Sequence, residues 1–187
     1  MTDLKNYIET HKQLFLDELF SFLRIPSVSA KPEHKEDMTK ACLFLQEKIK
    51  KAGADICEIH TTKGHPIVYG EKMIDPKKPT VLVYGHYDVQ PPEPLELWKS
   101  KPFEPEIRNE RIYARGADDD KGQLFMHIIA FEYLNKTNQL PCNVKFMFEG
   151  EEEIGSSNLD EFCKKNKEKL KCDIILVSDT AMLGQDI

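Results

Sequence analysis

The feature that most constrains the fold is a short, almost continuous apolar run in the middle of the chain, Thr80-Val81-Leu82-Val83-Tyr84. A strand that is apolar at successive positions has two faces to bury, which is typical of strands that helices cover from both sides. We therefore expect residues 80–84 to form a central strand. We also expect the rest of the chain to supply helices for both faces of the sheet.

Four other segments have helical patterns, in which apolar residues recur three or four positions apart. The predicted helices span residues 3–23, about 37–51, 121–135 and 158–170. The second helix should stop at Gly53, because glycine commonly ends helices. The third is apolar almost all round, which indicates a helix buried against a sheet.

Strand patterns alternate with these helices along the chain. Further strands are predicted at residues 55–61, 67–73, 143–148 and 173–177, and a hairpin at residues 106–114 should turn near Asn109-Glu110. Residues 90–105 hold five prolines and Trp98 and should form an ordered loop. The alternation predicts parallel pairing through helical crossovers. The expected fold class is α/β, with a mixed, largely parallel sheet and helices on both faces.

Composition excludes several classes of partner. The chain has 26 basic and 32 acidic residues and a net charge of -6, which argues against a nucleic-acid groove or an anionic membrane surface. Its longest apolar runs are far too short to cross a bilayer. The first residues lack the pattern of a secretory signal, so a cytoplasmic protein is predicted. Five cysteines without a Cys-x-x-Cys pair indicate reduced thiols.

Acidic and histidine-containing segments follow the predicted strands. In open α/β sheets, ligands bind at the carboxyl ends of the strands, so this shared position indicates a site. Each segment supplies at least one carboxylate or imidazole. The segments are Gly85-His86-Tyr87-Asp88, Ala117-Asp118-Asp119-Asp120-Lys121-Gly122, Glu149-Gly150-Glu151-Glu152-Glu153-Ile154-Gly155-Ser156 and Ser178-Asp179-Thr180.

His86 and Asp88 have the spacing of a metal ligand and its orienting carboxylate. In extended backbone, residues two apart point to the same side, so Asp88 can approach the His86 ring. A carboxylate that accepts the distal ring N–H fixes the tautomer and raises the basicity of the nitrogen that holds the metal. Taken alone, His86 could equally be a satisfied polar residue at the end of a strand.

Seven carboxylates crowd into two short runs, Asp118–Asp120 and Glu149–Glu153. Such crowding requires cations or protons. Either run alone could be a solvated acidic face. A calcium loop of the EF-hand kind is excluded because Gly122 falls where the third ligand should be. Because the sequence contains no Gly-x-Ser-x-Gly nucleophile motif and no Gly-rich phosphate loop, metal-activated water is the remaining nucleophile.

Three motifs together resemble those of the M20 metallopeptidases, and most closely the carnosinase-like dipeptidase branch. The resemblance extends from Ile25-Pro26-Ser27-Val28-Ser29 to Asp179. Its motifs are Val83-Tyr84-Gly85-His86-Tyr87-Asp88-Val89-Gln90-Pro91, then Trp98 with Pro102-Phe103-Glu104-Pro105, then Arg115-Gly116-Ala117-Asp118-Asp119-Asp120-Lys121-Gly122-Gln123.

The resemblance implies a two-metal hydrolase on part of a zinc-peptidase-like catalytic domain. It makes His86 and Asp179 ligands of one metal, Asp119 the carboxylate that bridges both metals, and Glu153 a ligand of the other. It also implies that the Asp119-Asp120 peptide bond is cis. The implied catalytic residues are Asp88, which would orient His86, and Glu152, which would act as general base on the attacking water.

The resemblance implies two divalent ions, with zinc first and manganese or cobalt as alternatives. The implied substrate is a dipeptide or small peptide. An N-acyl amino acid deacylase of the acetylornithine or succinyl-diaminopimelate type is the alternative within the same chemistry. A non-catalytic metal-binding remnant is the alternative from another class. Retention of Asp88 and Glu152, which a mere metal binder does not need, favours the enzyme.

The sequence also departs from the family pattern, because the ligand count is incomplete. The first metal receives His86, Asp119 and Asp179, but the second receives only Asp119 and Glu153. In the family, the missing ligand is a late histidine that follows an inserted lid domain through which the enzyme dimerises. The other histidines stand in helix or loop contexts unlike that motif: His11, His34, His60, His65 and His127.

We therefore expect residues 1–187 to be the amino-terminal part of a catalytic domain. The lid and closing segment would be absent, and little activity is expected of this chain alone. Full-length protein is expected to form a homodimer through the lid. The apolar residues Met182, Leu183 and Ile187 would belong to a strand edge or connector.

Overall fold

The computed structural model describes residues 4–181, and its seven strands form a five-stranded sheet and a separate two-stranded ribbon. The predicted connector around Met182, Leu183 and Ile187 lies outside the described residues. The helices are α1 (Leu4–Leu23), α2 (Lys35–Ala52), α3 (Lys121–Lys136) and α4 (Leu159–Lys165). The strands are β1 (Ile56–His60), β2 (Ile67–Lys72), β3 (Thr80–His86), β4 (Glu106–Arg108), β5 (Arg111–Tyr113), β6 (Asn143–Glu149) and β7 (Ile174–Val177).

The large sheet has the strand order β1-β2-β6-β3-β7. β3 runs parallel to both of its neighbours, β6 and β7, whereas β2 pairs antiparallel with β1 and β6. The predicted central strand is therefore an interior strand, and the α/β class with a mixed sheet is confirmed. In the β3–β6 register, His86 lies opposite Glu149, so the two strands end at the same edge.

Helices cover both faces of the sheet, as predicted. On one face, α1, α2 and α3 enclose a core that includes Val83 and Phe146. On the other, Phe162 of α4 packs with a smaller cluster that includes Leu82 and Met147. The adjacent residues Leu82 and Val83 thus face opposite cores, as the two-residue period of a strand requires. Complete burial of one such side chain contributes about 1.5–3 kcal/mol.

Most predicted boundaries agree with the structure to within a few residues. α2 ends where Gly53 adopts a left-handed conformation, with φ of 106°, and donates its N–H to the Ile49 carbonyl. The predicted hairpin is also present. Its turn residues Asn109 and Glu110 both have positive φ, 49° and 62°, as a two-residue hairpin turn requires.

The fourth predicted helix is too long: it was expected over residues 158–170, but α4 ends at Lys165. Asn166 donates its backbone N–H to the Phe162 carbonyl at 3.0 Å, and its side-chain amide donates to the same oxygen at 2.9 Å. Beyond it, the nearly buried Lys145 Nζ donates to the carbonyls of Lys169 and Lys171 at 2.6 and 2.9 Å. These bonds hold the following residues as turns against the sheet.

The loop at residues 90–105 is ordered by its own contacts. Trp98 Nε1 donates to the Pro92 carbonyl at 2.8 Å, and Arg115 lies over the Trp98 ring. All five cysteines are free. Among the helices of residues 4–181, none combines the length and apolarity needed to cross a membrane.

Candidate metal centre

The candidate site lies where three neighbouring strands end. His86 is the last residue of β3, Glu149 is the last of β6, and Asp179 follows β7 by two residues. Because β3 is parallel to β6 and β7, all three carboxyl ends meet at one edge of the sheet, as in other open α/β sheets with ligands at this position. The loop before α3 brings Asp119 to the same edge.

The His86 imidazole is the centre of the site. Its side chain is completely buried, and its Nε2 atom lies 3.1 Å from Asp119 Oδ1, 3.6 Å from Asp179 Oδ2 and 3.9 Å from Glu152 Oε2. This nitrogen makes no hydrogen bond in the described part of the chain. The structure therefore brings three of the carboxylates that the sequence singled out around one unpartnered nitrogen of His86.

The other ring nitrogen of His86 faces Asp88, as the spacing predicted. Nδ1 lies 3.1 Å from the Asp88 carbonyl oxygen and 3.3 Å from its Oδ1. A proton on Nδ1 directed at Asp88 leaves Nε2 free as a ligand atom. The backbone N–H of His86 donates to Asp120 Oδ2 at 3.0 Å, which adds a second restraint on the residue.

Asp88 also holds the segment with the two glutamates. Its completely buried carboxylate accepts the backbone N–H of Glu152 at 3.3 Å and that of Glu153 at 3.1 Å. The sequence did not reveal this contact, because it joins segments more than sixty residues apart. Glu153 is held from the other side by Gln90, whose Nε2 donates to Glu153 Oε2 at 2.8 Å.

Two sets of side chains have ligand atoms close enough to share an ion. One is His86, Asp119 and Asp179, and the other is His86, Glu152 and Glu153; within each set all ligand atoms lie within 4.8 Å of one another. Glu152, expected as the base, thus lies beside Glu153, expected as a ligand. Among the described residues, no set of three contains both Asp119 and Glu153.

The electrostatics of the site fit a cation. Burial lowers the pKa of His86, but Asp88, Asp120 and Asp119 outweigh it and raise that pKa to about 10. Burial raises the pKa of Asp120 to about 7, and it also raises the pKa of Glu153. The negative charges therefore hold a proton on the ring. A divalent ion can replace that proton and neutralise more of the charge.

The residues present fit a divalent metal ion. The evidence is the buried, unpartnered Nε2 atom of His86 together with the carboxylate oxygens around it. One imidazole with several carboxylates is a donor set suited to zinc, manganese or cobalt.

Two residues of the site were missed or only partly anticipated from the sequence. Gln90 was noted only as part of a motif, and Asp120 only as one of three consecutive acids. Asp120 directly precedes a helix that the sequence predicts to be buried, and this position could have indicated that its carboxylate is buried too. Asp120 is 1% exposed. The Asp119-Asp120 peptide bond is cis, as the resemblance implied.

Comparisons with known proteins identify the family of the chain. Residues 82–187 match the family described as Peptidase family M20/M25/M40. The chain is 36% identical to the Cys-Gly metallodipeptidase DUG1 of Candida albicans, over 95% of this chain and 40% of that protein. The chain thus spans about two fifths of the length of the curated relatives it matches.

Solved structures give the same result. Human carnosine dipeptidase 1 superimposes with a TM-score of 0.88 at 29% identity, over 95% of this chain and 41% of that one. The M20 family metallo-carboxypeptidase Sso-CP2 from Sulfolobus solfataricus has a TM-score of 0.84 at 43% identity, over 92% of this chain and 38% of that one. The chain therefore belongs to the M20/M25/M40 peptidase family.

Proposed function

We propose that this chain carries the metal-binding part of a two-metal hydrolase that cleaves the amide bond of dipeptides or small peptides. The observation that carries the proposal is the buried His86 Nε2 atom, which has no hydrogen bond and faces the carboxylates of Asp119, Asp179 and Glu152. Membership of the M20/M25/M40 peptidase family supports the reaction class.

In this proposal, His86 and Asp179 bind one ion, Asp119 bridges two, and Glu153 binds the second. The first set is supported by the closeness of its ligand atoms. Glu153 is supported by its place beside His86 and by the hydrogen bond from Gln90. We propose zinc, with manganese and cobalt as the alternatives.

The bound ions would polarise the scissile carbonyl and lower the pKa of the attacking water. Glu152 would take a proton from the attacking water and pass it to the leaving amine. Its carboxylate suits this role because it lies 3.9 Å from His86 Nε2 and remains partly exposed to solvent and substrate. Asp88 holds the backbone of this base in place, because its carboxylate accepts the Glu152 backbone N–H.

The ligand count limits what this chain does by itself. In the proposed assignment one ion would receive three ligands and the other only Asp119 and Glu153. Among residues 4–181, His86 is the only histidine in either set of close ligand atoms. We therefore propose that the 187-residue chain binds metal but hydrolyses substrate slowly. The presence of a lid domain, dimerisation through that lid and a cytoplasmic location remain predictions.

Metal content tests the binding part of the proposal. After incubation with Zn²⁺ and removal of free ion, elemental analysis should find at least one zinc per chain in the wild type and markedly less in His86→Ala. His34→Ala is the matched control, because His34 pairs with Asp37 on α2 and belongs to neither ligand set. Equal zinc in wild type and His86→Ala would contradict the proposal.

Hydrolysis tests the catalytic part. Three substrate classes should be compared: dipeptides, longer peptides cut at the carboxyl-terminal residue, and N-acyl amino acids. We expect dipeptides to be cleaved fastest, and we expect Glu152→Gln to keep its zinc while losing hydrolysis. Glu168→Gln, at an exposed position remote from the site, is the control. A preference for N-acyl amino acids would favour the deacylase. An unchanged rate in Glu152→Gln would remove that residue as the base.

A further inference from the structure

Two side chains of α3 contact the residues on either side of Asp179, one through a backbone carbonyl and one through a side-chain hydroxyl. Gln123 Nε2 donates to the Thr180 carbonyl at 3.2 Å, and His127 Nε2 lies 2.8 Å from Ser178 Oγ. Residues four apart on a helix lie on one face, so Gln123 and His127 reach the segment together. Neither contact was anticipated from the sequence, in which His127 stands in a helix context unlike the ligand motif.

Within residues 4–181, the segment that carries Asp179 has few other contacts. β7 is the edge strand of the sheet, and all four of its residues are exposed. Its pairing with β3 stops at Val177, opposite Tyr84, two residues before Asp179. Backbone beyond the end of an edge strand is free to move unless side chains hold it. The two contacts from α3 supply that restraint.

The same helix also fixes Asp119. α3 begins at Lys121, directly after the Asp119-Asp120 pair, and the Leu124 N–H donates to the Asp120 carbonyl. Asp119 therefore reaches His86 Nε2 from the loop directly before α3. Asp179 lies in a segment that Gln123 and His127, in the first two turns of α3, contact through hydrogen bonds. One helix thus contacts or carries both segments whose carboxylates lie 3.1 and 3.6 Å from His86 Nε2.

We infer that Gln123 and His127 are positioning residues, which hold Asp179 at the distance from Asp119 and His86 that one divalent ion requires. This inference rests on the proposed function, because it assigns Asp179 to the metal. Partners that orient metal ligands typically change metal affinity about 10- to 100-fold when they are removed. Each contact here acts on the backbone or on a neighbouring residue, so the lower end of that range is expected.

The test is the affinity of the 187-residue chain for Zn²⁺, measured by competition with a chromophoric chelator. We expect His127→Ala and Gln123→Ala each to weaken binding about 10-fold. His127→Gln, which keeps a side-chain amide near Ser178, should stay within about 3-fold of the wild type. His34→Ala serves as the control, since it removes a similar half-buried histidine contact on α2. Metal-free thermal unfolding should be alike in all variants, which separates positioning from general destabilisation.

A double-mutant cycle makes the test specific to the contact. If His127 acts through Ser178, then His127→Ala with Ser178→Ala should bind zinc no more weakly than either single variant. Additive losses would overturn the role of this hydrogen bond. Wild-type affinity in both His127→Ala and Gln123→Ala would overturn the inference while leaving the proposed function intact. A wild type whose zinc binding does not depend on His86 would overturn both.

Discussion

Asp88 joins the imidazole and the glutamates of the site: its Oδ2 accepts the backbone N–H of Glu153 at 3.1 Å, while its Oδ1 lies 3.3 Å from His86 Nδ1. The carboxylate is completely buried, so these contacts are shielded from water. One side chain therefore aligns the metal-binding nitrogen with the segment that carries Glu152 and Glu153.

Replacement of Asp88 should damage both stability and metal binding. Asp88→Ala leaves buried N–H groups unpaired, so we expect a loss of about 2–4 kcal/mol in the free energy of unfolding, measured by urea denaturation of the metal-free protein. Zinc affinity should fall about 10- to 100-fold. Asp160→Asn, at an exposed position on α4, is the control. A zinc affinity unchanged in Asp88→Ala would show that Asp88 does not orient the ligand.

Metal binding should release a proton from His86. The carboxylates around the buried ring raise the pKa of His86 to about 10, so the metal-free ring is protonated near pH 7. Because a metal ligand must be neutral imidazole, zinc affinity should rise as the pH is raised from 6 to 8. Calorimetry in buffers of different ionisation enthalpy should detect about one proton released per ion at the first site. Binding without proton release would contradict the raised pKa.

Lys121 should give the metal-free protein an unusual dependence of stability on pH. Its Nζ is buried and donates to the carbonyls of Phe22 and Ile25 at 3.2 and 2.6 Å, and burial lowers its pKa to about 7. Between pH 7 and about 10 the unfolded chain holds this proton and the folded chain does not, so Lys121 makes stability increase with pH. His86 has the opposite effect: its folded pKa is raised, so its contribution is lost as the pH rises towards 10.

The two effects offset each other in the wild type. In Lys121→Met the increase due to Lys121 is lost, so stability should fall more steeply than in the wild type between pH 7 and 10, and the two slopes should differ by at most about 1.4 kcal/mol per pH unit. Urea denaturation at several pH values measures this slope. Parallel pH profiles for wild type and Lys121→Met would contradict the lowered pKa of Lys121.

Gly122 is required by close packing at the start of α3. A Cβ atom at this position would lie 1.9 Å from the Ala117 carbonyl oxygen, which belongs to backbone and cannot rotate away. Gly122→Ala should therefore cost at least about 1–3 kcal/mol in the free energy of unfolding. It should also weaken zinc binding, because the loop between residues 117 and 122 carries Asp119. Ala130→Ser, at an exposed position of the same helix, should change neither quantity.

Much of the fold followed from local patterns. The apolar run at Val81–Val83 correctly predicted an interior strand, and Gly53 correctly predicted the end of α2. The segment after α4 has a tertiary constraint, because Lys145 of β6 donates to the carbonyls of Lys169 and Lys171 and ties this segment to the sheet. A contact of that kind leaves no periodic signal in the sequence.

The contrast between local patterns, which the sequence shows, and tertiary contacts, which it does not, applies to the site as well. Strand ends predicted which segments meet, and spacing predicted the contact between His86 and Asp88, whereas the individual ligands Asp119, Glu153 and Asp179 were implied by the family resemblance. The hydrogen bonds that hold the site residues in place could not be read from the sequence. The bond between Asp88 and Glu153 joins residues 65 apart, and the one between His127 and Ser178 joins residues 51 apart. Side chains that act on distant backbone have no motif of their own, and only the folded chain identifies them.

The most direct test of the central claim is the position of a bound ion. Crystals grown with Zn²⁺ should give an anomalous scattering peak about 2.0–2.2 Å from His86 Nε2, with carboxylate oxygens of Asp119 and Asp179 at similar distances. His86 Nδ1 should keep its contact with Asp88. A zinc-loaded crystal in which the ion binds elsewhere, or in which Nε2 contacts no ion, would contradict the account.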